Sequence, residues 1–144
     1  MYERSVGHNS TLIVGLTPDD RGLLPDADVR RLTEWGDEIK SRFSNPIKTT
    51  SGEGTVFELK LDKKRAVNYF VLQEDITQGE RVRAFKIEAE INKKWKTIAE
   101  GTNIGYKHIR PVDPIEGAKF RLTIMQSTAP PRLKNVGIFN VMTK

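Results

Sequence analysis

Tyr106, His108 and Arg110 alternate along one short segment of this chain and would share one face of a strand, joining an aromatic ring to two hydrogen-bond donors. That combination suits a hydroxyl-rich ligand such as a sugar. The plainer expectation for the same trio is the polar outer face of an edge strand, with Lys107 and Ile109 turned the other way. Gln73, Glu74 and Asp75 carry hard oxygens of the kind calcium takes, but a calcium cage needs roughly six to eight of them and the sequence shows no source for the rest. Their expected task is local, capping backbone N–H groups of the following loop and pairing with Arg81 or Arg83. Trp95 offers a flat face to a pyranose, yet its phase with Thr97 and Ala99 reads it as a packing residue. Trp35 is read as core in the same way.

Other chemistries are excluded by composition. The 144 residues include no cysteine, which removes disulfides, thiol chemistry and Cys-ligated zinc. Two histidines argue against a histidine-rich metal site, so no metal and no cofactor are expected. The chain is 37% hydrophobic and 30% charged, ordinary for a folded globular protein, with no apolar run long enough to span a bilayer. Its net charge of +5 is uneven. Residues 1–45 hold six Lys/Arg against eight Asp/Glu, and residues 46–144 hold eighteen against eleven. A basic surface raises affinity for polyanions, but these lysines are scattered and no basic-aromatic stripe accompanies them.

The elements that must position these residues change character near Pro46. Thr11–Thr17 is a continuous apolar run, read as a strand buried on both faces. After the turn Asp19-Asp20-Arg21-Gly22, Asp26 is placed to cap a helix whose Val29, Leu32, Trp35, Ile39 and Phe43 form one stripe, stopped by Ser44-Asn45-Pro46. Beyond residue 47 the period becomes two. Strands are expected at 55–61, 66–73, 83–91, 94–100, 106–110, 119–124 and 136–141, separated by Gly, Asn and Pro turns. Short strands without intervening helices indicate an antiparallel β-sandwich. The expected division is a β/α unit over 1–45 and a sandwich over 46–144, with Lys48–Gly54 either a linker or the first loop.

Two stretches carry a family resemblance. Ser5–Pro25, with Gly7-His8-Asn9, Leu12-Ile13-Val14-Gly15-Leu16-Thr17-Pro18 and Asp19-Asp20-Arg21-Gly22, resembles the end of the catalytic barrel in α-L-fucosidases of glycoside hydrolase family twenty-nine. It departs from that pattern at His8, Gly15 and Thr17, where the family has arginine, asparagine and proline. Gln73-Glu74-Asp75-Ile76 through Gly79-Glu80-Arg81-Val82, with Trp95–Lys107, is similar to the C-terminal sandwich of the same enzymes, a galactose-binding-like, discoidin-type fold.

The resemblance implies a parent exo-glycosidase that removes terminal α-L-fucose with retention, through a nucleophile and an acid/base carboxyl about 5 Å apart. In the family the nucleophile lies on an earlier barrel strand, so no catalytic residue is expected here, and Met1 reads as an internal methionine. His8 and Asn9 become candidates near the active site by family position. The implied partners are the chain's own catalytic barrel and a fucosylated glycan, and the implied location is periplasmic or secreted. Neither nucleic acid nor membrane is expected as a partner. The orphan strand over 11–17 is expected to pair within the chain or with a second copy, and the helix to pack on the sandwich. Two other functions compete, an independent carbohydrate-binding module and, more weakly, a polyanion or nucleic-acid binder.

Overall fold

The computed structural model describes residues 1–142 as two helices followed by six antiparallel strands. The order is α1 (Tyr2–Ser5), α2 (Asp26–Phe43), β1 (Lys48–Glu53), β2 (Val56–Glu74), β3 (Val82–Ile91), β4 (Lys94–Gly101), β5 (His108–Ser127) and β6 (Arg132–Phe139). Hydrogen bonds link the strands in the order β1-β6-β2-β5-β3-β4.

This sheet is folded over on itself. Phe70 pairs with Arg110, and Leu59 pairs with Phe120, so eleven residues of β2 separate the two positions. On a flat sheet that is roughly 36 Å. The rings of Phe70 and Phe120 nevertheless meet at 6.0 Å. The long strands β2 and β5 therefore run through two facing layers, one completed by β6 and β1 and the other by β3 and β4. A bulge marks the bend: between Lys60↔Lys119 and Arg65↔Gly117, β2 advances five residues while β5 advances two. The expected breaks at Asp62-Lys63-Lys64 and at Gly117 are this irregularity, so the seven expected strands merge into fewer and longer ones.

Alternation fills the space between the layers. Phe57, Leu59, Phe85, Ile87, Phe120 and Leu122 come from one layer, and Val67, Phe70, Leu72, Val136 and Ile138 from the other, all within one buried cluster. Lys48–Glu53 is a strand and neither a linker nor a loop. Nearly all its residues are exposed, and it exists because β6 supplies a ladder from Lys48↔Ile138 to Glu53↔Arg132.

The first part of the chain departs further from expectation. Residues 10–19 take no regular structure, and Ile13, Val14 and Leu16 are exposed, so the strand expected at Thr11–Thr17 is not formed. A strand needs a ladder partner, and no described strand lies beside this segment. Helix α2 forms where its stripe and acidic first turn place it, but Pro25 is its N-cap and no side chain caps it, so Asp26 opens the helix instead. None of its residues is buried, Trp35 included. Its C-terminal end alone is built into the sandwich, where Phe43 meets Tyr2 at 6.4 Å, Tyr69 at 5.8 Å and Phe139 at 5.9 Å. Arg42 ties the same corner together through Glu3 and Glu38. No described helix is long and apolar enough to cross a membrane.

Candidate functional site

The candidates from the two ends of the chain meet at one place. The turn of α1 delivers Gly7, where a Cβ would run into the Glu3 carbonyl and the Ile109 side chain, so glycine lets the chain lie against the start of β5. There Ile109 N–H donates to the Gly7 carbonyl at 2.8 Å and Asn9 N–H to the Lys107 carbonyl at 3.0 Å, flanking a bridge between His8 and His108. Asn9 sits at φ 63°, in the left-handed region, and its Oδ1 accepts from Tyr106 N–H at 2.6 Å while its Nδ2 donates to Glu80. A side chain on Gly105 would collide with the Asn9 amide, so the loop passes this point only as glycine.

Glu74 organises the other side of the loop. It is 3% exposed, and its carboxylate accepts from Arg81 N–H at 2.9 Å, Val82 N–H at 3.0 Å and Gly105 N–H at 2.8 Å. Asp75 accepts from the amide and hydroxyl of Thr77. The loop-capping expected of these carboxylates is present. The expected pairing with Arg81 or Arg83 is absent, because the Arg81 guanidinium donates instead to the Pro130 carbonyl and Gln78, and that of Arg83 to backbone carbonyls.

The trio Tyr106, His108 and Arg110 does not form one exposed face. Tyr106 lies before β5 and is 57% exposed, whereas His108 is 8% exposed between the Phe85 ring at 5.3 Å and the His8 ring at 5.8 Å. The edge-strand reading fails at His108, because β2 pairs with one side of this end of β5 and residues 7–9 bond along the other. Burial first, then the nearby charges of His8 and Arg110, pull the His108 imidazole down to about 4, against a contact with the Asn103 backbone that raises it. His108 Nε2 and Arg110 Nε are both buried without a hydrogen-bond partner. The corner thus presents an exposed phenol above a neutral, enclosed imidazole. It can offer hydrogen bonds, but neither nearby carboxylate is placed for acid/base work, because Glu74 is enclosed by three amides and Glu80 is held by Asn9.

Trp95 is on the outer face and not in the core. The Arg121 guanidinium lies 4.2 Å from its ring centroid. Arg121 also grips Glu88 with two nitrogens at 2.6 and 3.2 Å, and Lys86 and Thr123 complete the carboxylate's partners. Arg121 first, with Lys86 and Thr123, holds the Glu88 carboxyl at about 2, well below the usual range. Alternation placed Glu88 on the wet face; nothing in the sequence showed that long neighbours would enclose it to 3% exposure. Among the described residues no group of three or more His, Asp or Glu could hold a metal ion.

The folded-over sheet with an appended helix defines a β-sandwich, and comparison with known proteins gives it a context. No known protein-family profile matches the chain. It is 29% identical to a candidate α-L-fucosidase 1 from Oryza sativa subsp. japonica, over 96% of this chain and 34% of that protein. The crystal structure of a candidate α-L-fucosidase from Bacteroides thetaiotaomicron VPI-5482 superposes with a TM-score of 0.94 at 48% identity, covering 98% of this chain and 33% of that one. A glycoside hydrolase 29 family member from an unknown rumen bacterium gives a TM-score of 0.82 at 28% identity, over 99% and 28% respectively. The chain therefore resembles the α-L-fucosidases of glycoside hydrolase family 29 in sequence and in fold. It spans about a third of the length of the curated relatives it matches.

Proposed function

We propose that this chain is a non-catalytic portion of a retaining exo-α-L-fucosidase acting on terminal α-L-fucose of glycans, in which the sandwich packs on a catalytic barrel. The observation that carries the reading is the superposition at TM-score 0.94 and 48% identity over nearly all of this chain and a third of its relative. A group of exposed and half-buried apolar residues supplies a physical reason for a missing neighbour. Val14, Leu16, Leu32 and Trp35 line a hollow of about 450 Å³ beside a helix with no buried residue. In this reading the barrel covers that hollow, and the two carboxyls of retaining hydrolysis belong to the barrel. Tyr106, exposed beside the Asn9 clamp, is the residue of this corner best placed to touch carbohydrate. A periplasmic or secreted location follows from the same reading.

Incubating the purified chain with a chromogenic α-L-fucoside tests the proposal. No fucose release above the uncatalysed rate is expected, and release that scales with protein concentration would overturn it.

A further inference from the structure

The bend in β2 opens a groove of about 360 Å³ lined by Ile47, Lys48, Lys60, Leu61, Lys63 and Arg65, with Asp62 as its single carboxylate. Ile47 and Leu61 are half-buried and pack against the core, giving the groove an apolar floor. The four cations are exposed around it. Lys60 reaches Glu58 at 3.1 Å, whereas among the described residues Lys48, Lys63 and Arg65 have no carboxylate within ion-pair distance. Several cations elsewhere on the sandwich are paired, Lys86 and Arg121 with Glu88, Lys119 with Glu90 and Arg132 with Glu53.

Like charges are also stacked here by the ladder itself, since Lys60 lies directly opposite Lys119. Glu58 answers Lys60 and Glu90 answers Lys119, which leaves Lys48, Lys63 and Arg65 as the uncompensated charges of the groove. The bulge adds Lys63 and Arg65 to the same place instead of dispersing them. A groove with an apolar floor and a cationic rim fits a ring whose C–H face packs down while anionic substituents reach outward.

We propose that this groove binds an acidic glycan, one carrying sulfate esters or carboxylates, at a place on the sandwich separate from the His8–His108 corner. Along β2, Arg65 and Leu72, the partner of His108, are seven residues apart, roughly 23 Å. A glycan is favoured over a nucleic acid because no aromatic side chain lines the groove to stack a base. The choice of a glycan also rests on the fucosidase reading above, while the anion site itself does not.

The test is a calorimetric titration of the chain with a heparin-derived tetrasaccharide at two salt concentrations. Saturable binding that weakens with salt is expected, as counterion release requires. The double variant Lys63→Glu, Arg65→Glu should lose about tenfold or more in affinity, since two attractions of up to about 1 kcal/mol each become repulsions. Lys94→Glu with Lys96→Glu on β4 makes the same change in net charge away from the groove and should bind as the parent does. Three results would overturn the proposal: no saturable binding, equal weakening in both double variants, or tighter binding of a single-stranded oligonucleotide of matched charge. Folding of each variant is checked by its unfolding midpoint. The chromogenic fucoside assay is read separately, so loss of the anion site and loss of the fucosidase reading are distinguishable.

Discussion

The ring of His8 meets the ring of His108 edge-on at 5.8 Å, and a backbone bridge between the same two residues fastens the N-terminal segment to the start of β5. One imidazole is exposed and the other is enclosed, with its Nε2 unpartnered. Protonating the inner ring places a charge next to Arg110 and away from water.

A pH dependence follows from that burial. The folded His108 lies near 4, below the 6.5 of an unfolded histidine, so the unfolded chain takes up the proton first as pH falls. Its contribution is complete above pH 6.5 and is lost progressively from there down to about pH 4, on the order of 3 kcal/mol in all. Urea unfolding across this window should show the decline, and His108→Gln should flatten it. An unchanged slope in the variant would assign the decline to other groups.

Glu88 predicts a second window at lower pH. Its folded carboxyl near 2 lies below the ordinary 4.5, so its stabilisation is present above 4.5 and disappears as pH falls through 2. Arg121→Ala leaves Lys86 as the only cation on a carboxylate that is 3% exposed, and should destabilise by about 2–3 kcal/mol. Arg121→Lys should cost about 1 kcal/mol, since it loses the two-pronged grip and the stacking on Trp95. Denaturant midpoints at neutral pH measure both, and equal costs would contradict the geometry.

The β3–β4 hairpin turns on Asn92 at φ 52° and Lys93 at φ 62°. Two left-handed residues make the tight turn that suits twisted strands, and the second position favours glycine. Lys93→Gly should raise stability by about 1 kcal/mol, read as a higher unfolding midpoint. A lower midpoint would show that lysine contributes something there beyond the backbone.

Asn9 holds Tyr106 N–H and Glu80 at once. Asn9→Ala should speed hydrogen exchange at the Tyr106 amide by about tenfold, equivalent to one lost hydrogen bond of about 1 kcal/mol, while leaving the β2 and β5 amides slow. Unchanged exchange at Tyr106 would mean that the clamp is not what orders this loop.

Period and punctuation made much of this fold legible. The stripe from Val29 to Phe43 and the stop at Pro46 located α2, and the alternation of Phe85, Ile87 and Ala89 located β3 and its buried face. What the sequence hid depends on partners far along the chain. Thr11–Thr17 is apolar enough for a strand but has none beside it, whereas Lys48–Glu53 is polar and becomes one because β6 pairs with it. Tyr106, His108 and Arg110 alternate correctly, yet residues 7–9 cover the histidine, a contact across about a hundred residues that no local pattern signals. His8 and Asn9 were singled out by family position, and their meeting with His108 and Tyr106 required the fold.

The central proposal is that the sandwich strands form the stable body of the chain and that the apolar side of α2 is covered by another body. Native-state hydrogen exchange of the intact chain tests it most directly. Amides of β2, β3, β5 and β6 should open only with global unfolding, and those of residues 26–40 should exchange far faster in a dilute monomer. Equal protection across both regions would contradict the claim.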